Sequence, residues 1–260
     1  MIRLIRDYLY HLWACKSVYS LHSPFVFDWH QQVLRADLSD EGAKIEALRK
    51  ELSKDQRPMQ IQDFGAGSGD KGPSTATQSL GSLVRKASRR RKSGDFLYRF
   101  CNYYQPRICL EFGTHAGISS LYQMSALEGG EFHTMEGDPG LAEIARRNFE
   151  AFGLKAHQYV GEFVSLLQNE ISLAQLSPDY VFIDGNHTYE ATLRYFHMLL
   201  PHMPDESVLV FDDIYWSAGM KKAWSEIIAH PEVSASLDLF ELGICFLRRK
   251  QAKEHFRFRL

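Results

Sequence analysis

Long apolar runs are missing from this 260-residue chain: no stretch reaches the roughly 18 uncharged apolar residues that a bilayer-spanning helix needs. The N-terminal MIRLIRDYLYHLWACKS places apolar residues at 2, 4, 5, 8, 9, 12 and 13, a helical stripe. Arg3, Arg6 and Asp7 interrupt it, which excludes the apolar centre of a secretory signal, so a cytoplasmic protein with no membrane span is expected. Cysteine is scarce as well. Cys15, Cys101, Cys109 and Cys245 make no C-x-x-C pair and no cluster, so the cysteines suggest neither a zinc site nor a disulfide framework. An excess of either charge is also lacking, since 30 Lys and Arg stand against 32 Asp and Glu for a net charge of −2. Such a chain has no overall field to recruit nucleic acid. Its one basic run, RKASRRRK at 85–92, has no interleaved aromatic residues on which bases would stack, so a solvated loop is the reading preferred over an RNA contact.

What is present is ample core, 45% hydrophobic residues, and a change of character near Asp95. Residues 1–57 read as helices, with LHSPFVFD as a break around Pro24. A glycine-rich stretch and a polar, basic segment follow, the latter expected to be mobile over about 70–95. From Ile108 strand-like runs alternate with helical periods: ICLEFG, EFHTMEGD, AHQYVGE, DYVFIDG and SVLVFDD, with helices near 117–127, 139–152, 162–175, 188–200 and 218–229. This order predicts an α/β fold with a doubly wound, mostly parallel sheet. VSASLDLF and LGICFLRR are too close for a crossover and should form an antiparallel hairpin at the sheet edge, bringing the strands to seven; HFRFRL is a candidate further strand. The expected organisation is a helical N-terminal extension over 1–95, serving as a lid or in a homodimer, and a cofactor-binding domain over 96–260.

Two glycine loops compete for the cofactor. In IQDFGAGSGDKG, Gly67, Gly69 and Gly72 fit G-x-G-x-x-G, but Pro73 disfavours an immediate helix and no acidic residue ends a second strand. In ICLEFGTHAGISS the strand, the helix and the acid are all present, for Glu136 ends EFHTMEGD 23 residues after Gly113. His115 stands where a pyrophosphate-binding turn needs its second glycine, which disfavours NAD or FAD. The second loop is therefore taken as the cofactor loop.

The stretch 108–249 resembles class I S-adenosylmethionine-dependent methyltransferases, a Rossmann-like fold, and among them the catechol and caffeoyl-CoA O-methyltransferase group. LEFGTHAG, Glu136, GLAEIARRNFEAFGL, VGEF, YVFIDGNH and VLVFDD carry the likeness in series. The resemblance implies cofactor contacts from Glu111, Gly113, Thr114, His115 and Gly117, with Glu111 and Gly113 facing the methionine end. It assigns the ribose hydroxyls to Glu136 beside Gly137, the adenine to Glu162 and Phe163, and a further contact to Asp184. Asp184, Asp212 and Asp213 end two strands, and carboxylates converging there repel one another unless a cation or protons compensate. The related enzymes hold Mg²⁺ with an Asp at the first place and an Asp-Asn pair at the second, so Mg²⁺, Mn²⁺ or Ca²⁺ is implied, with Asp213 replacing the Asn. His187 occupies the place of the lysine proposed as base in the catechol-type enzymes, and a neutral imidazole suits that task. Tyr215 and Trp216 are candidate walls for an acceptor. Methyl transfer to a hydroxyl of a small molecule is the function implied; RNA methylation through 85–92 and cofactor binding without catalysis are the alternatives.

Overall fold

The computed structural model describes residues 2–15, 24–34, 40–63, 74–88, 91–248 and 253–260. In chain order it begins with α1 (Ile2–Ala14), α2 (Pro24–Trp29), a π-helical turn at His30–Leu34, and α3 (Asp40–Leu52). Next come β1 (Pro58–Asp63), β2 (Ser74–Ser79), α4 (Leu80–Ala87) and α5 (Arg91–Tyr104). The alternating part then follows as β3 (Ile108–Phe112), α6 (Ile118–Met124), β4 (Glu131–Glu136), α7 (Pro139–Ala151), β5 (His157–Val160), α8 (Phe163–Asn169) and α9 (Leu173–Leu176). It continues with β6 (Tyr180–Ile183), α10 (Tyr189–Leu199), β7 (Ser207–Asp212), α11 (Ala218–Ala229), β8 (Ala235–Asp238), β9 (Leu242–Leu247) and β10 (Glu254–Arg257). Two compact units result, one of Gln31–Ile171 and one of Met1–His30 with Ser172–Leu260. The boundary expected at 95/96 thus falls inside α5, and the N-terminal extension is divided between the units.

In the unit Gln31–Ile171, β3, β4 and β5 run parallel in that order. ICLEF is apolar almost throughout because a parallel strand is covered on both faces, and four of its five residues are buried. Asp138 starts α7 by accepting the Leu141 N–H at 2.9 Å, with Pro139 at the first helical position, where its missing N–H costs nothing. The segment of about 70–95, expected to be mobile, carries β2, α4 and the start of α5. β1 and β2 pair antiparallel from Pro58↔Ser79 to Asp63↔Ser74; Gly67, Gly69 and Gly72 lie outside the described residues. The hairpin and α4 are anchored: Ile61, Leu80, Leu83 and Val84 form one buried cluster with Ala116 and Leu141. Each fully buried aliphatic side chain of this kind contributes about 1.5–3 kcal/mol. In the basic run, Arg85 donates to the Ser53 carbonyl, Lys86 to Gln78 Oε1 at 2.7 Å, and Arg91 to the buried Asp95 at 3.2 Å. Those three cations are committed within the chain; Arg89 and Arg90 lie outside the described residues.

The other unit orders its strands β10-β8-β9-β7-β6. β6 and β7 are parallel, β9 is antiparallel to both β7 and β8, and β10 returns parallel to β8. The expected hairpin is therefore present as β8 and β9. It does not form the edge, because HFRFRL supplies β10 outside it, and the two runs of strands, β3 to β5 and β6 to β10, hold eight strands among the described residues where seven were expected. Helix α1 is bound into this unit by polar contacts. Arg3 Nη2 donates to the Trp216 carbonyl at 2.8 Å, Lys221 Nζ to Asp7 at 3.0 Å and His11 Nε2 to the Phe258 carbonyl at 3.0 Å. Its other face leaves Ile5, Leu9 and Trp13 exposed, Trp13 at 82%. Trp216 is 63% exposed, whereas Trp29 and Trp224 are buried. Among the described residues no helix is long and apolar enough to cross a membrane.

Candidate functional site

Because β3 and β4 are parallel, the loop after β3 and the acid that closes β4 emerge at one end of the strands, the end where open α/β sheets bind ligands. The loop turns sharply. Gly113 and Gly117 have φ of +93° and +78°, and His115, between them, has φ of +49°. A Cβ on Gly117 would lie 2.6 Å from Phe149 Cε1, so glycine is also what lets α6 begin against α7. Gly113 and Thr114 donate to the Met135 carbonyl at 2.9 and 3.1 Å, stitching the loop to β4. Glu136 fastens the same turn from the other side: Oε2 accepts the His115 N–H at 2.6 Å and Oε1 the Asp138 N–H at 2.9 Å. Burial raises its pKa, and the hydrogen bonds from Asp138 and His115 oppose that rise. The backbone N–H groups of Asp138 and His115, with a smaller contribution from Gly137, hold the carboxylate in a fixed orientation at the strand end, where an acceptor for ribose hydroxyls is needed.

Not every residue assigned to the cofactor is placed to touch one. Glu111 is wholly buried and saturated: Ser119 Oγ and Gln123 Nε2 donate to Oε1 at 2.9 and 2.8 Å, Thr134 Oγ1 donates to Oε2 at 2.7 Å, and Ser120 Oγ donates to Oε2 as well. The expectation that it faces the methionine end is corrected, because a carboxylate with four donors and no exposed surface braces the loop from below. Thr114 is 1% exposed and turns the same way, its hydroxyl 2.5 Å from that of Thr134. The bracing residues went unnoticed in the sequence, although Ser119 and Gln123 stand four apart on α6 and so share a face. Glu162 is exposed and caps α8, accepting the Val164 and Ser165 N–H groups at 3.0 and 2.8 Å. Phe163 beside it packs edge-on against Phe112, with ring centroids 5.6 Å apart. Gly137 is half-buried in the turn between Glu136 and Asp138.

In the other unit the parallel strands β6 and β7 deliver Asp184 and Asp212 to one end. The turn after Asp184 doubles back through Asn186, at φ +49°, and brings His187 Nε2 to 3.6 Å from Asp184 Oδ1. Thr188 then caps α10 by accepting the Ala191 N–H at 3.3 Å, fixing where the turn ends. One ligand atom from each of Asp184, His187 and Asp212 lies within 4.8 Å of the others. This donor set fits a divalent cation, with two hard carboxylates and one imidazole. Asp213 is not part of the group. Its backbone is left-handed, φ +54°, with its N–H donated to the Glu241 carbonyl at 2.8 Å and its carbonyl accepting the Trp216 N–H at 2.9 Å, so it serves the turn. Tyr215 is a core aromatic, stacked on Phe240 at 4.7 Å with its hydroxyl donated to Asp238 at 2.7 Å, and does not wall an acceptor.

Residues 110–214, which contain both groups, match a family of methyltransferase domains. A catechol O-methyltransferase from Niastella koreensis is 30% identical over 96 residues, 36% of this chain, and the chain spans 43% of that relative's length. Among solved structures, the O-methyltransferase of tomaymycin synthesis from Streptomyces achromogenes, in complex with S-adenosylmethionine, superposes with a TM-score of 0.56 at 18% identity, covering 86% of this chain and 96% of that one. An O-methyltransferase from Bacillus cereus in complex with S-adenosylhomocysteine gives 0.56 at 19% identity, covering 86% and 97%. At such identities these structures speak for the fold, which is the Rossmann-like fold of the methyltransferases. The loop at 113–117, the acid at 136 and the strand-end carboxylates all lie inside 110–214, the segment over which this chain is similar to the methyltransferase domain family.

Proposed function

We propose that the chain transfers a methyl group from S-adenosylmethionine to a hydroxyl of a small-molecule acceptor, with a divalent cation held by Asp184 and Asp212. The observation that carries the reading is Glu136 at the end of β4, fixed beside the glycine turn by the His115 and Asp138 N–H groups at 2.6 and 2.9 Å, an oriented carboxylate acceptor for ribose hydroxyls. Gly113 and His115 shape the turn beside it, and His115 in place of a glycine keeps the backbone from the close approach a pyrophosphate needs. Asp184 and Asp212 suffice for Mg²⁺, which is commonly bound through one or two carboxylates and keeps several waters. A cation bound there lowers the pKa of a hydroxyl beside it. His187 takes the hydroxyl proton on its imidazole, oriented by Asp184 at 3.6 Å, while the methyl group passes from sulfur to oxygen. The slightly acidic chain and the internally bonded Arg85, Lys86 and Arg91 favour a small acceptor over RNA.

Turnover against a panel of catechol-like and other hydroxylated acceptors, followed by S-adenosylhomocysteine release, tests the reading. Chelation should abolish turnover and Mg²⁺ or Mn²⁺ restore it, with little change in cofactor affinity; full activity in excess chelator removes the cation. His187→Ala should slow the reaction most at neutral pH and less at alkaline pH, where the acceptor ionises unaided. The 4.8 Å grouping favours a second role for His187, as a third metal ligand. Loss of metal binding in His187→Ala, measured by calorimetry, would assign that role and remove it as the base.

A further inference from the structure

A second cluster of metal-ligating side chains lies at the opposite end of β4 from Glu136. Glu131 and His133 are two apart on β4 and so share one face of the strands, and His157, which opens β5, is the direct cross-strand partner of His133. One ligand atom from each lies within 4.8 Å of the others. The imidazole rings of His133 and His157 lie nearly parallel, with centroids 4.5 Å apart. His133 is 6% exposed, and its two nitrogens differ. Nδ1 is 3.1 Å from the Tyr159 hydroxyl, whereas Nε2 is buried without a hydrogen bond, its neighbour being Glu131 Oε2 at 3.5 Å. A buried polar nitrogen left unsatisfied is uncommon. It is also the arrangement of a metal-binding histidine, in which one nitrogen is fixed by an outer partner and the other is left for the cation. We propose that Glu131, His133 and His157 form a binding site for a divalent transition metal, Zn²⁺ fitting the donor set best, that clasps β5 to β4. Two imidazoles and one carboxylate suit Zn²⁺ and disfavour Mg²⁺, and water completes the tetrahedron. The exposed His157 and Glu131 side chains have the freedom to close on the ion while His133 stays fixed.

Calorimetric titration with ZnCl₂ of the full chain carrying Asp184→Asn and Asp212→Asn, which disables the other carboxylate–imidazole group, tests the proposal. One Zn²⁺ per chain should bind with a Kd of micromolar order, and adding His157→Ala should weaken binding by about tenfold or more. Glu131→Gln should weaken it less, and MgCl₂ should give no saturable binding. If the double variant does not fold, the unsubstituted chain serves: its Zn²⁺ stoichiometry should fall by one with His157→Ala. Saturable binding absent or weaker than about 100 µM, or affinity and stoichiometry unchanged by His157→Ala, overturns the site.

Discussion

Glu136 and Glu111 show how two acids at neighbouring strand ends come to different work. Glu111 has four donors and no surface; Glu136 is held by N–H partners and is only half-buried. Glu136→Ala should therefore weaken S-adenosylmethionine binding by about 1.5–3 kcal/mol by calorimetry. Glu111→Ala should instead leave buried hydroxyl and amide donors unpaired and lower stability by about 3 kcal/mol or more, read as the denaturation midpoint. The Glu136 pKa is raised by burial, so its ionised form, the one that accepts from ribose, is lost on acidification at higher pH than for an ordinary glutamate. Cofactor affinity should accordingly begin to fall above the usual carboxylate range. Asp238 has the opposite sign. Burial pushes its pKa up, but the His11 ring, with Nδ1 3.2 Å away, and hydrogen bonds from the Tyr215 hydroxyl and the Phe240 N–H outweigh burial and leave it lowered. Its stabilising effect is present above the ordinary aspartate pKa and is lost as pH falls through the lowered folded value. In Asp238→Asn, thermal stability should drop at neutral pH and lose part of its dependence on pH below about 4.

Elements, more than single side chains, were legible in the sequence. The strands ICLEF, YVFI and SVLVFD stand out as apolar runs because parallel strands are covered on both faces, and α11 occupies the 218–229 that its period marked. α4 and β2 were illegible for a physical reason: STATQS and LGSLVRKA are polar on average, β2 is held by its pairing with β1, and α4 by Leu80, Leu83 and Val84 meeting Ala116 and Leu141 from distant sequence. The same holds at the site. Asp184, Asp212 and Glu136 end strands and could be read, whereas the bracing of Glu111 depends on side chains from a helix and a neighbouring strand. The α6–α7 contact is specified by Gly117, whose φ of +78° and missing Cβ both matter. Gly117→Ala imposes left-handed backbone on alanine, about 1–2 kcal/mol, and overpacks Phe149 by about 1–3 kcal/mol, so a clear fall in Tm is expected together with weaker cofactor binding.

At the scale of the whole molecule, charge argues about partners and aromatic placement about observables. A net charge of −2 predicts weak retention on RNA with a shallow salt dependence; strong retention lost steeply with salt would revive the nucleic-acid reading. The four tryptophans, at 13, 29, 216 and 224, all belong to the unit of Met1–His30 with Ser172–Leu260, two exposed and two buried. Indole emission is therefore blind to the unit that carries Glu136 and the glycine turn. A dissolved quencher such as acrylamide should reach the exposed pair, Trp13 and Trp216, and spare Trp29 and Trp224, giving a downward-curved quenching plot that straightens on denaturation. An unfolding curve followed by this emission reports on one half of the chain alone, and any gap between it and a far-ultraviolet dichroism curve measures how independently the other half melts.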